Sequence, residues 1–484
     1  MVKKILNWFE DRTGVAAAVW PMLTHPIPKG TGWSYTLGSA TLAAFIVQVI
    51  TGTALALAYV PSTSQAYLSL KFITHTAPFG DILRGMHYWG ASMMMVLIGM
   101  HMAQVFLYGA YKYPREMNWL SGSALLLLTV GMAFTGQLLR WDQNAVWAVV
   151  VAAEQAGRTP FIGKMLAHFI LAGDTVGGAT LNRFFAIHVF FIPGLIFGGI
   201  ALHLFLVLRN GISEPPFPGL PAEKKTYRQR YEAMIHKNGE PFFPDAAWRD
   251  AVMGLVVVLA IFLLALIFGP AHLAKPPNPA IIHAEPVPDW YFLWYFGILA
   301  ILPHNSEQYF IIAAPMIWGF LLIGLPFVFP TGSRDPAKRP WAFAVVIAAW
   351  TIIIVFWMDA KKHWWVPDFH PKPLAANILE SKSKVVALGA RYFQTKGCLY
   401  CHRMGHDGGI RGPNLTYVGD RLNNAELMAR IMMGGYNMPA FSKILKPSQA
   451  DALVTFLHSR RHFYNNRPMI PKNAHTAKRV ANSP

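Results

Sequence analysis

The chain has 484 residues, 54% of them hydrophobic and 14% charged, with a formal net charge of +18 at pH 7. So few charges on so apolar a chain exclude a disordered protein and an ordinary soluble one, and two cysteines exclude a disulfide scaffold. The composition fits an all-α, polytopic transmembrane helix bundle with an added water-soluble part.

In chain order, Met1–Gly14 is polar and amphipathic with charges throughout, unlike a cleavable signal. Seven apolar spans of about 20 residues or more are predicted at approximately 33–59, 84–108, 117–139, 183–208, 249–272, 308–330 and 341–360. Sixteen basic residues fall in the amino-terminal stretch and alternate loops, among them Lys3, Lys112, Arg115, Arg209, Arg228, Arg334 and Arg339. The opposite loops hold four: Lys71, Arg158, Lys164 and Lys275. The positive-inside rule therefore places the amino terminus in the cytoplasm. Much of the positive charge is thus topological, and no nucleic-acid partner is expected.

The first four spans share one interval. Gly38 and Gly52, His87 and His101, and Gly122 and Gly136 are each 14 residues apart, in the first, second and third spans, while His188 and His203 in the fourth are 15 apart. These separations put the two rings of a pair roughly 21–22 Å apart along a helix, on nearly the same side. If spans two and four face each other, His87 meets His188 at one depth and His101 meets His203 at the other. A lone intramembrane histidine is more often a hydrogen-bonding or proton-relay group, and glycines often serve helix packing. Four histidines in matched pairs, with four glycines at the same interval, favour two bis-histidine haem b sites whose porphyrins press on the flanking helices. Arg84 and Arg183, at the mouths of the histidine helices, read either as propionate partners or as interfacial anchors. Pro193, five residues after His188, is expected to kink the fourth span and free a carbonyl.

Between spans five and six lies Pro288-Asp289-Trp290-Tyr291, which taken alone reads as a turn. After residue 360 comes a Pro-rich linker (361–384), then a small helical domain (385–465) and a basic tail (466–484). Within the domain, Cys398-Leu-Tyr-Cys401-His402 has the spacing for two thioethers to a haem c with the adjacent histidine on iron. The rival thioredoxin-like reading is disfavoured by that histidine and by the absence of a βαβ pattern. Zinc is disfavoured by the lack of further cysteines. Met438, in Asn437-Met438-Pro439, is the candidate sixth ligand. Met404, Met428, Met432 and Met433 compete, the last three in a helical pattern typical of core filling.

With these motifs in view, residues 1–360 resemble the cytochrome b of quinol-oxidising bc complexes, specifically the b6f type with its second subunit fused on. The matching strings include Trp8-Phe9-Glu10, His87-x13-His101, Lys112-x-x-Arg115-Glu116, Trp141-Asp142-Gln143-Asn144 and Thr180-Leu-x-Arg183-Phe184. The 15-residue interval in span four and the count of seven spans match the b6f type, whereas the mitochondrial type uses 14. Residues 385–460 resemble a class I cytochrome c. This divides the chain into a di-haem domain (1–210), a cytoplasmic loop (211–248) and a three-span domain (249–360), followed by the linker, cytochrome and tail.

The resemblance implies a quinol:cytochrome c oxidoreductase subunit in a bacterial cytoplasmic membrane, with the cytochrome c domain outside. Pro288-Asp289-Trp290-Tyr291 resembles the family's Pro-Glu-Trp-Tyr loop, so Asp289 and Tyr291 are expected at the outer quinol site, with the carboxylate taking a quinol proton. Bifurcated oxidation would send one electron to a Rieske iron–sulfur protein and the other inward through the two haems to a quinone, a Q cycle. The fused haem c would then pass electrons to a downstream acceptor. A Rieske cluster needs two cysteines and two histidines, and both cysteines here are committed, so that protein is a separate partner. A homodimer of the complex, embedded in lipid, is expected from the family. At the family's extra inner haem, Thr36 stands where a cysteine would be, which excludes a thioether-bound haem there and leaves a non-covalently held one open. Arg140 also replaces the usual proline of Leu-Pro-Trp-Asp.

Three rival functions remain distinguishable. A di-haem anchor of a dehydrogenase would not need the Pro-Asp-Trp-Tyr loop. A haem–copper or nitric-oxide reductase would need further clustered histidines. A transporter or scaffold with an attached cytochrome would lack haem b.

Overall fold

The computed structural model describes residues 2–468 apart from 174, 218, 279–286, 362–373, 375, 380–382, 410–411, 435–437, 439, 443 and 465–466. Most of the linker and nearly all of the basic tail lie outside the described residues. Seven described helices are long and apolar enough to cross a membrane: Trp33–Ala58, Gly80–Leu107, Glu116–Leu138, Gly178–Asn210, Ala247–Phe268, Ser306–Val328 and Pro340–Ala360. They coincide with the seven predicted spans, and the fourth starts earlier than its apolar run. A shorter apolar helix, Trp290–Ile301, precedes span six.

The chain divides into two compact units. One comprises Met1–Arg140, Leu181–Leu273 and Asp289–Lys362, and the other Trp141–Thr180, Ala274–Pro288 and His363–Pro484. In the first, spans one, two and five pack on one another, three packs on four and six, and Trp290–Ile301 packs on seven. In lipid, burial of apolar surface does not drive helices together, so close approach and hydrogen bonds must. Both are present. Ala40 and Ala44 are fully buried, in a core with Phe45, Met94, Ile196 and Ile261. A Cβ on Gly85 would sit 3.0 Å from that of Ala265, so span five touches the backbone of span two. Buried donors reach across helices to main-chain carbonyls: Trp89 Nε1 to Gly269 (2.9 Å), Tyr59 Oη to Leu139 (2.8 Å) and Trp119 Nε1 to Leu322 (2.6 Å).

The loops at the other ends of these helices hold a buried polar network. Arg115 donates to the Gly211 carbonyl at 2.9 Å and to the Tyr227 hydroxyl at 2.8 Å. Arg334, only 1% exposed, pairs with Glu214 and donates to the Glu214 main-chain carbonyl at 3.1 Å. Lys112 reaches the Thr331 carbonyl at 2.5 Å, and Arg339 the carbonyls of Leu107 and Phe106 at 3.2 Å. Several cations counted for topology are therefore structural ties between the two halves of the bundle. Burial alone would raise the Glu214 carboxyl. Arg334, the Tyr227 hydroxyl and Arg115 outweigh that effect and hold it below the usual carboxylate range. A depressed folded pKa gives stability that is full above the ordinary carboxylate pKa and is lost as pH falls through the folded value. Glu214→Gln should remove that acid-side slope in a thermal-melt series. Glu214→Ala, which strands a buried guanidinium, should cost about 3–5 kcal/mol.

In the second unit, Asp142 caps the helix Gln143–Gly157 through the Ala145 N–H at 2.9 Å and accepts the Ala274 N–H at 3.1 Å. Gln143 exchanges two side-chain bonds with the main chain of Asn278, at 2.7 and 3.1 Å. The Trp-Asp-Gln-Asn string thus pins the segment that follows span five.

The cytochrome-like part of this unit has a core of Phe393, Leu399, Met404, Leu427, Leu453 and Phe456. Its helices Lys384–Thr395 and Pro447–Ser459 cross at Gly389, where a Cβ would collide with the Ala452 carbonyl. Gly389→Ala is accordingly expected to destabilise this domain by about 1–3 kcal/mol, read from its melting in the full chain.

Candidate functional site

Span four resolves an apparent mismatch of intervals. At about 100° per residue, 14 residues leave two rings about 40° apart, whereas 15 would swing them about 60° the other way. The stretch Ile187–Phe191, which contains His188, is a π-helical turn just ahead of Pro193. A proline has no N–H to give the carbonyl four residues back, so that carbonyl is released, and the wider turn takes up one residue. Fifteen residues with one such turn align much as fourteen without it. The expected kink is thus a local widening of the helix.

His87 and His188 then face each other, with ring centroids 6.4 Å apart and planes at 80°. That gap admits one atom bonded to both rings at about 2.0 Å each, a metal–imidazole length. Each predicted glycine lies against one predicted histidine. A Cβ on Gly52 would be 3.0 Å from Cε1 of His87, and on Gly136 only 2.5 Å from Cε1 of His188. At the other depth, Gly38 faces His101 and Gly122 faces His203, both at 3.4 Å.

The protonation pattern is equally specific. Thr51 Oγ1 lies 3.0 Å from Nδ1 of His87, Thr135 Oγ1 3.1 Å from that of His188, and Ser121 Oγ 2.9 Å from that of His203. These hydroxyls give their own proton to Val47, Met132 and Asn118 carbonyls respectively. Each must therefore accept from Nδ1–H, which leaves Nε2 with its lone pair free for a metal. Three Ser/Thr-Gly pairs in the sequence carry this signal, and reading the glycines alone missed it.

A cavity of about 380 Å³ is lined by His87, His188, Gly52, Gly136, Arg84, Arg140, Asp289 and Tyr291. Asp289 stands at the amino end of helix Trp290–Ile301, and the Tyr291 hydroxyl donates to its Oδ2 at 3.0 Å. Trp290 Nε1 donates to Ser92 Oγ at 3.1 Å, tying this turn to span two. Arg84 is buried and donates to Thr74 Oγ1 and to the Ala271 carbonyl at 3.1 and 2.6 Å. Arg183 is half-buried and outside that lining. The structure thus separates two arginines that the sequence treats alike.

In the carboxy-terminal domain, Cys398 and Cys401 occupy one short helical turn and are not disulfide-bonded. Burial, with Cys401 beside it, pushes the Cys398 thiol up to about 12, the opposite of a thioredoxin-like nucleophile. His402 Nδ1 donates to the Pro413 carbonyl at 2.9 Å, leaving Nε2 free, and burial holds the ring below the usual histidine range and so neutral. Gly412 packs on that ring, where a Cβ would be 2.5 Å from Cε1. The donor chemistry fits an attached haem. Met438 is partly buried against the domain core, while Asn437 and Pro439 lie outside the described residues. Of its rivals, Met404 is fully buried core, Met428 and Met432 pack on that core, and Met433 is exposed.

Residues 22–211 match the family model described as Cytochrome b/b6/petB. The chain is also 32% identical over 363 residues to the cytochrome bc complex cytochrome b subunit of Chlorobaculum thiosulfatiphilum, covering 74% of this chain and 81% of that one. It belongs to the cytochrome b family of bc complexes. The menaquinol:cytochrome c reductase cytochrome b subunit of Bacillus subtilis is 38% identical over 224 residues, 44% of this chain and 100% of that one. A chain of a hyperthermophilic respiratory Complex III superposes with a TM-score of 0.63 at 26% identity, covering 74% of this cytochrome b and 93% of that chain. Residues 385–457 match a second model, Cytochrome C oxidase, cbb3-type, subunit III. The protein is thus a multi-pass cytochrome b of a bc/b6f-type quinol:cytochrome c reductase that carries its own cytochrome c domain, and haem b and haem c follow from the two families.

The glycine contacts make a direct test. Gly136→Val should fill the space beside His188 and lower the b-type absorbance while leaving the c-type band intact, read by pyridine haemochrome spectra.

Proposed function

We propose that this cytochrome b binds two b haems, one between His87 and His188 and one between His101 and His203, and oxidises quinol in a bifurcated Q cycle at the outer face. The observation that carries the reading is that Asp289 and Tyr291 line the same cavity as His87 and His188. When bound, the b haems would carry one electron of each quinol across the membrane to a quinone on the inner side, and a haem c held by Cys398, Cys401, His402 and Met438 would pass the other, delivered by the iron–sulfur protein, to a downstream acceptor. Quinol loses two protons as its electrons leave. The Asp289 carboxylate, on the cavity wall and held by the Tyr291 hydroxyl, is the group that would accept one. Aspartate is a methylene shorter than the family's glutamate, and the Tyr291 hydroxyl fixes the direction of its carboxylate. Arg84 and Arg140 bring positive charge to the cavity wall, where the propionates of an outer haem would lie.

The other electron requires a separate Rieske protein, because this chain has no cysteines beyond the pair in the c-type motif. The relatives are bc-complex subunits, which supports both that partner and quinol as the substrate. The loop charges support a bacterial cytoplasmic membrane with a cytoplasmic amino terminus, and an odd number of spans then puts the cytochrome c domain outside. A homodimeric complex is part of the same reading.

The purified complex should contain two haem b and one haem c per chain. Asp289→Asn should slow quinol-driven cytochrome c reduction by roughly 10²-fold or more, with haem content unchanged and Asp289→Glu retaining activity. Unimpaired turnover in Asp289→Asn would instead support a di-haem anchor, and a c-type spectrum alone would support a scaffold.

A further inference from the structure

Three of the four membrane histidines share one environment, and the fourth departs from it. Thr51, Ser121 and Thr135 each stand immediately before the glycine that faces the ring, with hydroxyls 3.0, 2.9 and 3.1 Å from Nδ1. At the fourth site the residue before Gly38 is Leu37, which has no acceptor to offer. Nδ1 of His101 is buried and, among the described residues, has no hydrogen-bond partner. The local cause is visible. The α-helical part of span one begins at Leu37, the preceding turn Trp33–Thr36 is a 3₁₀ helix, and Thr36 turns its hydroxyl back onto the Trp33 carbonyl at 2.8 Å.

We infer that the residue before each glycine is a positioning residue that sets the donor strength of the imidazole, and that Leu37 leaves the inner haem pair one contact short. This rests on the bis-histidine reading proposed above. An imidazole that donates Nδ1–H to an acceptor is more basic at Nε2, and a more basic ligand favours the oxidised iron. The outer pair has two such contacts, from Thr51 and Thr135, and the inner pair has one, from Ser121. The inner site is therefore the easier to reduce, and the difference favours electron movement inward.

The test is a redox titration of b-type absorbance in membranes containing the full complex, alongside haem quantification. Leu37→Thr should lower the inner midpoint, roughly tenfold in the one-electron equilibrium constant or about 59 mV, and leave the outer one unmoved. Leu37→Val, which adds no hydroxyl, should move neither. Thr51→Val should raise the outer midpoint and Thr51→Ser should restore it. Two b haems with unmoved midpoints in Leu37→Thr, or equal shifts of both, would overturn the proposal while leaving the bis-histidine reading intact. If Leu37→Thr does not assemble, an unmoved outer midpoint in Thr51→Val overturns it equally. Full b-type absorbance in His87→Ala and His101→Ala would sink the underlying reading instead.

Discussion

The structure depends on a neutral imidazole held in a fixed tautomer within hydrocarbon, against a helix with no side chain at the point of contact. An unpaired polar group in lipid is costly. A bare glycine in a helix costs stability too. The two are solved together by a Ser/Thr-Gly step, in which one residue accepts the ring proton and the next leaves room. Because the hydroxyl passes its own proton to a carbonyl one turn back, helix, hydroxyl and ring form a single chain of bonds, and the ring's remaining lone pair points away from the helix.

A second constraint acts on the loops at the far ends of these spans. Arg115 and Arg339 serve as hydrogen-bond forks for main-chain carbonyls left open where helices end, and Arg334 does the same for the loop at Glu214. Basic residues that the loop-charge count includes are buried, and Lys112 and Arg339 join the first four spans to the last three.

Much of this was readable from residues alone. The seven spans follow from apolar length, and the glycine-to-histidine pairing follows from a shared interval, since an α-helix converts sequence distance into depth. What stayed hidden depends on tertiary placement. Arg84 and Arg183 each stand shortly before a histidine of the same pair, but only Arg84 lines the cavity. Asp142 and Gln143 read as family markers, and only the fold shows that they bind the main chain of Ala274 and Asn278. The hydroxyls before the glycines were in plain sight, yet their role appears only when a ring from another helix arrives. Met438 remains a choice among methionines, because ligation is a matter of position that spacing does not convey.

The widened turn at Ile187–Phe191 has a consequence for how such membrane helices change over time. A residue inserted into a regular helix rotates everything beyond it and would carry one of the two histidines off its mark. Here the surplus is absorbed within a single turn beside a proline, so both ends keep their azimuth. Chains with 14- and 15-residue intervals can then differ by one codon without moving either histidine from the glycine it faces.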